Sequence, residues 1–308
     1  MASSSSSRSE TENGIQITSD GNYKTQFIEM SAIGSGGFGT VFKVKHKLDD
    51  KIYAVKRHKL DDKIYAVKRV QFGENKDKYL KEVKCLAKLN SEYVVQYYNS
   101  WLDGNTNELY IQMEYCPQNL RSVLDDKSLT FIKKSSVESM NPFEYYISCE
   151  IFKQILESVQ YLHESNPPVI HRDLKPDNIL IDPNIRSNRI IKLCDFGLAT
   201  EHNINGHNTS RYGHTSGVGT IAYMAPEVLS GGVYNHLSDI YSLSIIGQKL
   251  LGIDLLASQT FEAKDSVIKK PIHCLYKILE KMMSTPRWRQ RPECREVLAT
   301  HNECGLSV

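Results

Sequence analysis

The stretch VIHRDLKPDNILI, residues 169–181, sets polar side chains of distinct chemistry between apolar residues at both ends. Asp173 is suited to accept a proton from a hydroxyl group, and Lys175 is suited to steady a transferring phosphoryl group. Asn178 offers an amide oxygen to a metal ion, whereas Arg172 has no evident role beside them. A plain polar turn between two strands is the alternative, but the pattern HRDxKxxN is too specific to favour it.

A second motif, KLCDFGLAT, follows the first and contributes Asp195. We predict that Asp195 is a ligand of Mg²⁺, because carboxylate oxygens are ligands that this ion prefers. An isolated Asp-Phe-Gly is a common turn, but its place after the first motif indicates a shared site. Farther along, YMAPE and QRP contain Glu227 and Arg291, which we predict to form a buried ion pair with a structural role.

Upstream, IGSGGFGTV places Gly34, Gly36 and Gly39 before Val41. Glycine lets backbone N–H groups approach phosphate oxygens, because no Cβ stands in the way. The alternative is an ordinary glycine-rich hairpin turn. The next residues form a strand pattern, TVFKVKH, whereas the dinucleotide-binding fingerprint must open a helix. The pattern therefore favours a β-hairpin lid over a nucleotide.

The twelve-residue segment HKLDDKIYAVKR occurs twice without change, at 46–57 and again at 58–69. Each copy supplies a lysine, Lys56 or Lys68, that can reach phosphates if a carboxylate such as Glu82 holds it. Hairpin tips tolerate insertions better than the connection to the helix that carries Glu82. We therefore favour Lys68, although Lys56 remains the alternative because the copies are identical.

The pattern along the chain predicts two lobes and a tail. Residues 1–25 are Ser-rich and too polar to offset chain entropy, so we predict a disordered tail. Residues 26–116 read as short strands with one helix that turns Leu80, Val83, Leu86, Ala87 and Leu89 to one face. Residues 117–303 are mainly helical, with a loop predicted at 124–143 and a helix whose start Ser238 caps. The fold class is α+β.

The composition excludes several classes of protein. The 38 basic and 36 acidic residues nearly cancel, so no nucleic acid partner is indicated. No apolar run is long enough for a membrane span, and the start MASSSSSRSE lacks the apolar core of a secretory signal. The seven cysteines are scattered, which favours reduced thiols in a cytoplasmic protein over a disulfide framework or a zinc site.

The order GxGxxGxV, AVK, Glu, HRDLKPDN, DFG and APE resembles the eukaryotic protein kinases. The resemblance covers about residues 27–300 and implies a bilobal kinase fold. Lys175 is typical of the serine/threonine type. The segments GSGGFGTVFKVKH, EVKCLAKLN, VVQYYNSW and LYIQMEYC further resemble the kinases of the translation initiation factor 2 alpha subunit, with Trp101 the most telling residue. Ser244 departs from the glycine usual in kinases.

The resemblance implies roles for particular residues, with ATP and Mg²⁺ as cofactors. Asp173, Lys175, Asn178 and Asp195 would be catalytic, and Asn178 and Asp195 would hold the metal. Asp239 would anchor the catalytic loop. Nucleotide binding would fall to a larger set along the first lobe, namely Ile33, Gly34, Gly36, Gly39, Val41, Lys68 or Lys56, Glu82, the gatekeeper Met113, and the hinge residues Glu114 and Cys116.

The polar segment between DFG and APE holds two threonines with implied regulatory roles. In the resembled family a threonine at the position of Thr215 is autophosphorylated, and one at the position of Thr220 shapes the substrate pocket. A phosphate on Thr215 could pair with Arg172 and order the segment.

The implied function is an ATP-dependent serine/threonine kinase that acts on the initiation factor 2 alpha subunit and restrains translation under stress. Two alternatives stay open: a pseudokinase scaffold, and an active kinase with another protein substrate. Family members dimerise through the first lobe, which makes a homodimer an expectation here. No sensing domain is evident in the sequence, so the activating signal (double-stranded RNA, haem, amino-acid starvation or unfolded protein) is not indicated.

Overall fold

The chain divides into two units, which we call the N-terminal unit (Met1–Ser91 and Val95–Cys116) and the C-terminal unit (Glu92–Val94 and Pro117–Val308). The structure, a computed structural model, describes residues 10–12, 15–18, 27–36, 39–46, 64–71, 76–103, 107–130, 142–183, 188–201, 221–232, 234–255, 266–285 and 287–301. Lys56, Thr215 and Thr220, for which the sequence makes predictions, lie outside these ranges.

A seven-stranded sheet forms most of the described N-terminal unit, in the order β1-β2-β6-β7-β5-β4-β3. Neighbouring strands run antiparallel except for the parallel pair β2 and β6. The strands that follow residue 26 arise where β-branched and aromatic residues are concentrated. The bounds are β1 Glu10–Glu12, β2 Ile15–Thr18, β3 Phe27–Gly36, β4 Gly39–His46, β5 Ile64–Gln71, β6 Tyr97–Asp103 and β7 Glu108–Glu114.

Stacked aromatic rings hold the core of this sheet. The Trp101 ring lies 5.5 Å, centroid to centroid, from both Phe27 and Tyr110, with interplanar angles of 8° and 4°. All three side chains are buried together with Val44 and Val67. Each large ring removes much apolar area from water, which is the main stabilising term of such a core.

One described helix, α1 (Lys76–Lys88), accompanies the sheet. Four of the five residues predicted to share its inward face are buried, whereas Ala87 is exposed. The helix carries Glu82, which is also buried. Its packing therefore fixes the position of a carboxylate.

The sequence predicts a disordered tail for residues 1–25, whereas the structure has the strands β1 and β2 in this range. The backbone of β2 pairs with β6 in parallel, with Gln16 opposite Trp101 and Thr18 opposite Asp103. The N–H and C=O groups along the edge of β6 offer these partners. A polar composition opposes a packed core of its own, but it does not prevent backbone pairing to an existing sheet.

The described C-terminal unit is mainly helical and also contains several short strands. Together with the first unit this confirms the predicted α+β kinase-like fold. The helices are α2 Leu120–Thr130, α3 Pro142–Glu164, α4 Pro226–Leu229, α5 His236–Leu251, α6 Ser266–Met282 and α7 Cys294–His301. The strands are β8 Gln118–Asn119, β9 Val169–Ile170, β10 Ile179–Ile181, β11 Ile191–Leu193 and β12 Thr200–Glu201.

Two predictions about helix ends in this unit are wrong. The predicted loop at 124–143 gives way to helix at both ends, since α2 extends to Thr130 and α3 begins at Pro142. The Asn119 side chain accepts the Ser122 N–H at 2.9 Å, which favours a helical start there. Helix α5 begins before Ser238: Asn235 is the N-cap, and Ser238 returns the bond as the third residue of a capping box.

The predicted ion pair between Glu227 and Arg291 is confirmed. Arg291 donates to the two carboxylate oxygens of Glu227 at 2.6 and 2.8 Å, and its side chain is fully buried. A bidentate pair of this kind fixes both position and orientation. It ties the segment after α6 to the short helix α4.

Ser244, the departure from the usual glycine, lies fully buried in α5. Its hydroxyl donates to the Leu279 carbonyl oxygen of α6 at 2.9 Å. The serine therefore contributes a bond between two helices, and its role is structural.

Gly247, one turn farther along α5, lies close to side chains of two neighbouring helices. A Cβ at Gly247 would lie 2.7 Å from Leu279 Cδ2 and 2.9 Å from two ring atoms of Phe152. Both neighbouring side chains are fully buried. We expect Gly247→Ala to lower the free energy of unfolding by about 1–2 kcal/mol, because overpacking exceeds the gain in helix propensity.

Denaturant unfolding of the variant and the wild type measures this difference. Gly34→Ala serves as the control, since a Cβ at Gly34 meets no atom within 4 Å. Equal stability of the Gly247 variant and the wild type would show that the side chains of Leu279 and Phe152 can make room for the added methyl group without cost.

The cysteines depart in one place from the predicted set of reduced thiols. Among the described residues the free cysteines are Cys85, Cys116, Cys149, Cys194 and Cys294. Cys274 of α6 is disulfide-bonded instead, a pairing that spacing along a sequence does not reveal.

None of the helices in the described ranges combines the length and apolar character that a membrane crossing requires.

Candidate active site

The loop between β9 and β10 carries the polar residues of the first motif. Leu174 in the loop, Ile170 at the end of β9 and Ile179 at the start of β10 are buried and hold the loop against the C-terminal core. A short 3₁₀ turn at Pro176–Asn178 follows Lys175, and proline at its first position suits the turn. The buried anchors therefore fix the polar side chains between them.

The side chains of Asp173, Lys175 and Asn178 meet at one carboxylate oxygen. Lys175 Nζ donates to Asp173 Oδ2 at 2.8 Å, and Asn178 Nδ2 donates to the same atom at 2.9 Å. Asn178 Nδ2 also donates to the Asp173 carbonyl oxygen at 2.8 Å. The other carboxylate oxygen, Oδ1, has no hydrogen-bond partner among the described residues. The arrangement fixes one oxygen of the Asp173 carboxylate and leaves the other without a partner.

The pKa of Asp173 is raised above its ordinary value. Burial is the largest cause, and the nearby Asp195 charge adds to it, whereas the hydrogen bond from Lys175 lowers the pKa. A carboxylate with a raised pKa is a better proton acceptor. Its environment therefore suits an acceptor of a hydroxyl proton.

Asp195 follows β11 and has a positive φ of 60°. The preceding residue, Cys194, donates its N–H to the Asn178 carbonyl oxygen at 3.0 Å, and its own carbonyl lies 3.0 Å from His171 Nε2. These bonds hold the second motif beside the first. The structure thus brings Asp173, Lys175, Asn178 and Asp195 into one neighbourhood.

The carboxylate of Asp239, in α5, holds the loop between β9 and β10 through hydrogen bonds. Its carboxylate accepts the backbone N–H groups of His171 and Arg172 at 2.9 and 3.0 Å, the Tyr234 hydroxyl at 3.2 Å and His163 Nε2 at 3.0 Å. Burial acts to raise the pKa of Asp239, but these donors, His163 first among them, outweigh it and lower the pKa. Asp239 is therefore held as a charged acceptor.

Arg172 occupies a left-handed backbone conformation, with φ at 69°. Asp239 fixes its N–H, and its guanidinium lies 5.6 Å from the centroid of the Tyr234 ring. The predicted partner, a phosphate on Thr215, concerns a residue outside the described ranges. Sequence reasoning did not find His163, because a lone histidine on a helix gives no signal of a contact with a residue 76 positions away.

In the N-terminal unit, Lys68 and Glu82 form a buried ion pair. Lys68 Nζ donates to Glu82 Oε1 at 2.6 Å, with 5% and 1% of the two side chains exposed. The lysine lies in the middle of β5, opposite Val41 on one side and Ile111 on the other. The structure thus brings Glu82 together with Lys68, while Lys56 lies outside the described residues.

The glycine-rich stretch forms the end of the β3–β4 hairpin. Gly34 pairs with Val41 and Gly36 with Gly39, with irregular register on the β3 side. The space beside Gly34 is open, because an added Cβ would meet nothing within 4 Å. Ile33 is exposed on the same hairpin. The predicted phosphate-binding residues therefore share one accessible element.

The predicted gatekeeper and hinge residues lie at the end of β7. Met113 is buried at the end of the strand, and Cys116 is buried beyond it. The Glu114 N–H donates to the Gln96 carbonyl oxygen at 2.8 Å. Any pairing of this segment with a base therefore cannot use the Glu114 N–H.

The donor set in the C-terminal unit fits Mg²⁺. Because Asp173 takes the Asn178 amide nitrogen, the Asn178 amide oxygen is the atom left for a cation, and Asp195 adds a carboxylate. Mg²⁺ prefers oxygen ligands and completes its shell with water and substrate phosphates. Within the described ranges no group of three or more His, Cys, Asp or Glu residues could hold a metal ion. A protein-only metal centre is therefore not indicated there.

Comparison with known families identifies the class of this protein. A family described as "Protein kinase domain" matches residues 27–301. The chain therefore belongs to the protein kinase family, an enzyme class that uses ATP and Mg²⁺.

The relatives narrow the class to serine/threonine kinases. The rat (Rattus norvegicus) interferon-induced, double-stranded RNA-activated protein kinase is 33% identical and covers 92% of this chain and 53% of its own length. The eIF-2-alpha kinase GCN2 of Schizosaccharomyces pombe is 30% identical, over 73% of this chain and 19% of its own. Human (Homo sapiens) receptor-interacting serine/threonine-protein kinase 3 is also 30% identical, over 70% and 36%. The chain thus spans about half the length of the rat relative and a smaller share of the other two.

Proposed function

We propose that this chain transfers the γ-phosphoryl group of ATP to a serine or threonine hydroxyl of a protein. The observation that carries the proposal is the cluster of Asp173, Lys175 and Asn178, in which one oxygen of Asp173 lacks a partner. The buried pair of Lys68 and Glu82 supports it from the other unit. Phosphoryl transfer requires mainly positioning and charge neutralisation, which these residues are suited to supply.

Each residue has one task in this proposal. Asp173 Oδ1 accepts the hydroxyl proton of the acceptor, while Lys175 neutralises charge on the transferred group. Asn178 and Asp195 hold Mg²⁺, which when bound neutralises phosphate charge. Lys68, oriented by Glu82, binds the phosphates under the hairpin that contains Gly34, Gly36 and Gly39, with Ile33 and Val41 beside the nucleotide. Met113, Glu114 and Cys116 border the base.

The alpha subunit of translation initiation factor 2 is the substrate that we propose. The relative from Schizosaccharomyces pombe, an eIF-2-alpha kinase, supports this assignment, as do the segments around Trp101. The proposal includes a restraint on translation in the cytoplasm as part of a stress response. The resemblance also supports a homodimer through the N-terminal unit, whose strand β3 exposes Ile28 and Met30.

The test is a phosphorylation assay with purified initiation factor 2 alpha subunit and radiolabelled ATP. We expect incorporation by the wild type and none by Asp195→Ala, which removes a proposed metal ligand. Labelling of the chain itself without labelling of this subunit would point to a different substrate. That outcome would rule out the proposed substrate but would agree with the proposed kinase activity.

A pseudokinase scaffold is the second candidate, because the second copy of the repeated segment contains most of β5 and the duplication could disturb the lysine pair. The observed distance of 2.6 Å between Lys68 and Glu82 speaks against such a disturbance. ATP-dependent autophosphorylation separates the two candidates. Its absence at millimolar ATP and Mg²⁺ would favour the scaffold.

Phosphorylation of Thr215 is part of the proposal. We expect Thr215→Ala to lower activity toward a protein substrate by about tenfold or more, because the charge-assisted bonds to Arg172 are lost. Ser216→Ala is the matched control and should retain activity. Initial rates before and after incubation with ATP measure the effect, and full activity of Thr215→Ala would rule out this role.

A further inference from the structure

Arg121 lies at the start of α2 and contacts two segments next to the proposed catalytic cluster. Its Nη2 donates to the Tyr223 hydroxyl at 3.1 Å and to Asp177 Oδ2 at 3.4 Å. Asp177 belongs to the same 3₁₀ turn as Asn178, and Tyr223 shortly precedes α4. The guanidinium is therefore held beside the loop whose Asp173 meets the acceptor hydroxyl in the proposed function.

The Tyr223 hydroxyl is the firmer of the two partners of Arg121. Tyr223 is 3% exposed, and its carbonyl oxygen accepts the Ser242 hydroxyl of α5 at 2.7 Å. The contact with Asp177 is longer, and the side chains of Arg121 and Asp177 are 33% and 47% exposed. An exposed ion pair of this kind contributes little. The tyrosine hydroxyl is uncharged, so it orients the guanidinium without cancelling its positive charge.

The Arg121 guanidinium retains donors for another group. A guanidinium carries five N–H bonds in one plane, and the two on Nη2 are those with acceptors among the described residues. The N–H groups of Nε and Nη1 have no acceptor there, and a third of the side chain is open to solvent. An anion that approaches from solvent can therefore accept charge-assisted hydrogen bonds from Arg121.

Lys249 of α5 adds a second positive charge next to the same tyrosine. Its Nζ lies 4.9 Å from the centroid of the Tyr223 ring, and the residue is exposed. No carboxylate within the described ranges forms an ion pair with Lys249. Two cations, Arg121 and Lys249, thus lie near Tyr223 together with one exposed carboxylate, that of Asp177. This local excess of positive charge favours a negatively charged partner.

We propose that Arg121 selects protein substrates that carry a glutamate or an aspartate close to the acceptor serine or threonine. The inference rests on the proposed kinase function, since the acidic side chain binds Arg121 while the acceptor hydroxyl meets Asp173 Oδ1. Because Arg121 contacts the substrate away from the reacting atoms, it lowers KM and leaves kcat unchanged. A lysine at the same place in a substrate meets a like charge and binds more weakly.

The test compares serine peptides that differ at one flanking position, where each carries glutamate, glutamine or lysine. Every position near the serine is varied in turn, and steady-state rates of the full chain with ATP and Mg²⁺ give kcat and KM. At one or more positions we expect the KM of the glutamate peptide to be about fivefold lower than that of the glutamine peptide, at the upper end for an exposed ion pair. The two peptides should have the same kcat.

Charge reversal assigns this preference to Arg121. Arg121→Glu should invert it, so that the lysine peptide has the lower KM, because a carboxylate then attracts the ammonium group. Arg121→Gln, which keeps a donor toward Tyr223, should give equal KM values for the glutamate and glutamine peptides. Arg295→Glu makes the same change of net charge on the exposed side of α7 and should keep the preference of the wild type. Thermal unfolding shows whether each variant is folded.

Binding without phosphotransfer separates this inference from the proposed function. Alanine replaces the acceptor serine in the same peptides, and fluorescence anisotropy of the labelled peptides with the full chain gives Kd. A preference for glutamate that Arg121→Glu inverts would show that Arg121 recognises the acidic residue. An absence of phosphotransfer beside that result would count only against the kinase proposal.

Three outcomes would overturn the inference. The first is no binding of any peptide, or equal Kd and KM for the glutamate and glutamine peptides at every position. The second is an unchanged preference in a folded Arg121→Glu protein. The third is an equal loss of kcat for all peptides in that variant, because Arg121 would then support the loop and not recognise the substrate.

Discussion

Replacement of Lys68 by methionine is expected to lower the rate of phosphoryl transfer by roughly 10²–10³, as loss of one preorganised donor to a transferring group does. Lys56→Met, the same substitution in the other copy of the repeated segment, is expected to leave the rate close to that of the wild type. The two lysines have identical neighbours in sequence, so any difference between the variants reports position in the fold alone.

The physical reason is the pair of Lys68 and Glu82. Lys68 Nζ lies 2.6 Å from Glu82 Oε1, and the side chains are nearly inaccessible to water. A methionine leaves the Glu82 charge buried without its cation, which typically destabilises a protein by about 3–5 kcal/mol. Unfolding curves must therefore accompany the rates, and Glu82→Gln provides a milder companion that retains a polar partner.

Steady-state rates with ATP and a protein substrate decide the assignment. A large loss in Lys56→Met with normal activity in Lys68→Met would show that the first copy supplies the phosphate ligand. Equal losses in both variants would show that the repeated segment acts as a whole.

Asp173→Asn is expected to lower kcat by roughly 10²–10⁴, the usual contribution of a positioned proton acceptor. Asparagine can keep bonds with Lys175 and Asn178, but its amide cannot take the hydroxyl proton. The KM for ATP should change little, because Asp173 contacts the acceptor and not the nucleotide in the proposed mechanism.

Asp177→Asn is the matched control for this variant. It lies in the 3₁₀ turn of the same loop, has 47% of its side chain exposed and faces Arg121 at 3.4 Å. An exposed pair of this kind contributes little, so we expect near-normal rates. Similar losses at Asp173 and Asp177 would indicate that charge in the loop, and not proton transfer, determines the rate.

The catalytic loop is predictable from sequence because its chemistry fixes residue types at fixed spacings. Asp173, Lys175 and Asn178 lie within six residues of one another, and buried neighbours hold them in place. The strands β3 to β7 are predictable from composition, since they are rich in β-branched and aromatic residues and are bounded by Gly, Asp and Asn. The confirmed pair of Glu227 and Arg291 follows from motifs that each specify a charged residue.

Other features depend on partners that a linear pattern does not contain. The pairing of β2 with β6 depends on an open sheet edge, and the sequence of residues 15–18 does not predict this pairing. The choice between Lys56 and Lys68 rests on which copy pairs with β4 and β7, because the letters are the same. The helical residues 124–130 were missed because a cap at Asn119 and tertiary contacts outweighed weak periodicity.

The four donors gathered on Asp239 have a consequence for local motion. The amides of His171 and Arg172 belong to no helix or regular strand pair, yet their protons point into a carboxylate that solvent does not reach. Deuterium can replace those protons only when the loop parts from the Asp239 carboxylate of α5 and water enters. The segment that must position an acceptor hydroxyl is thereby protected from hydrogen exchange as firmly as the interior of a helix.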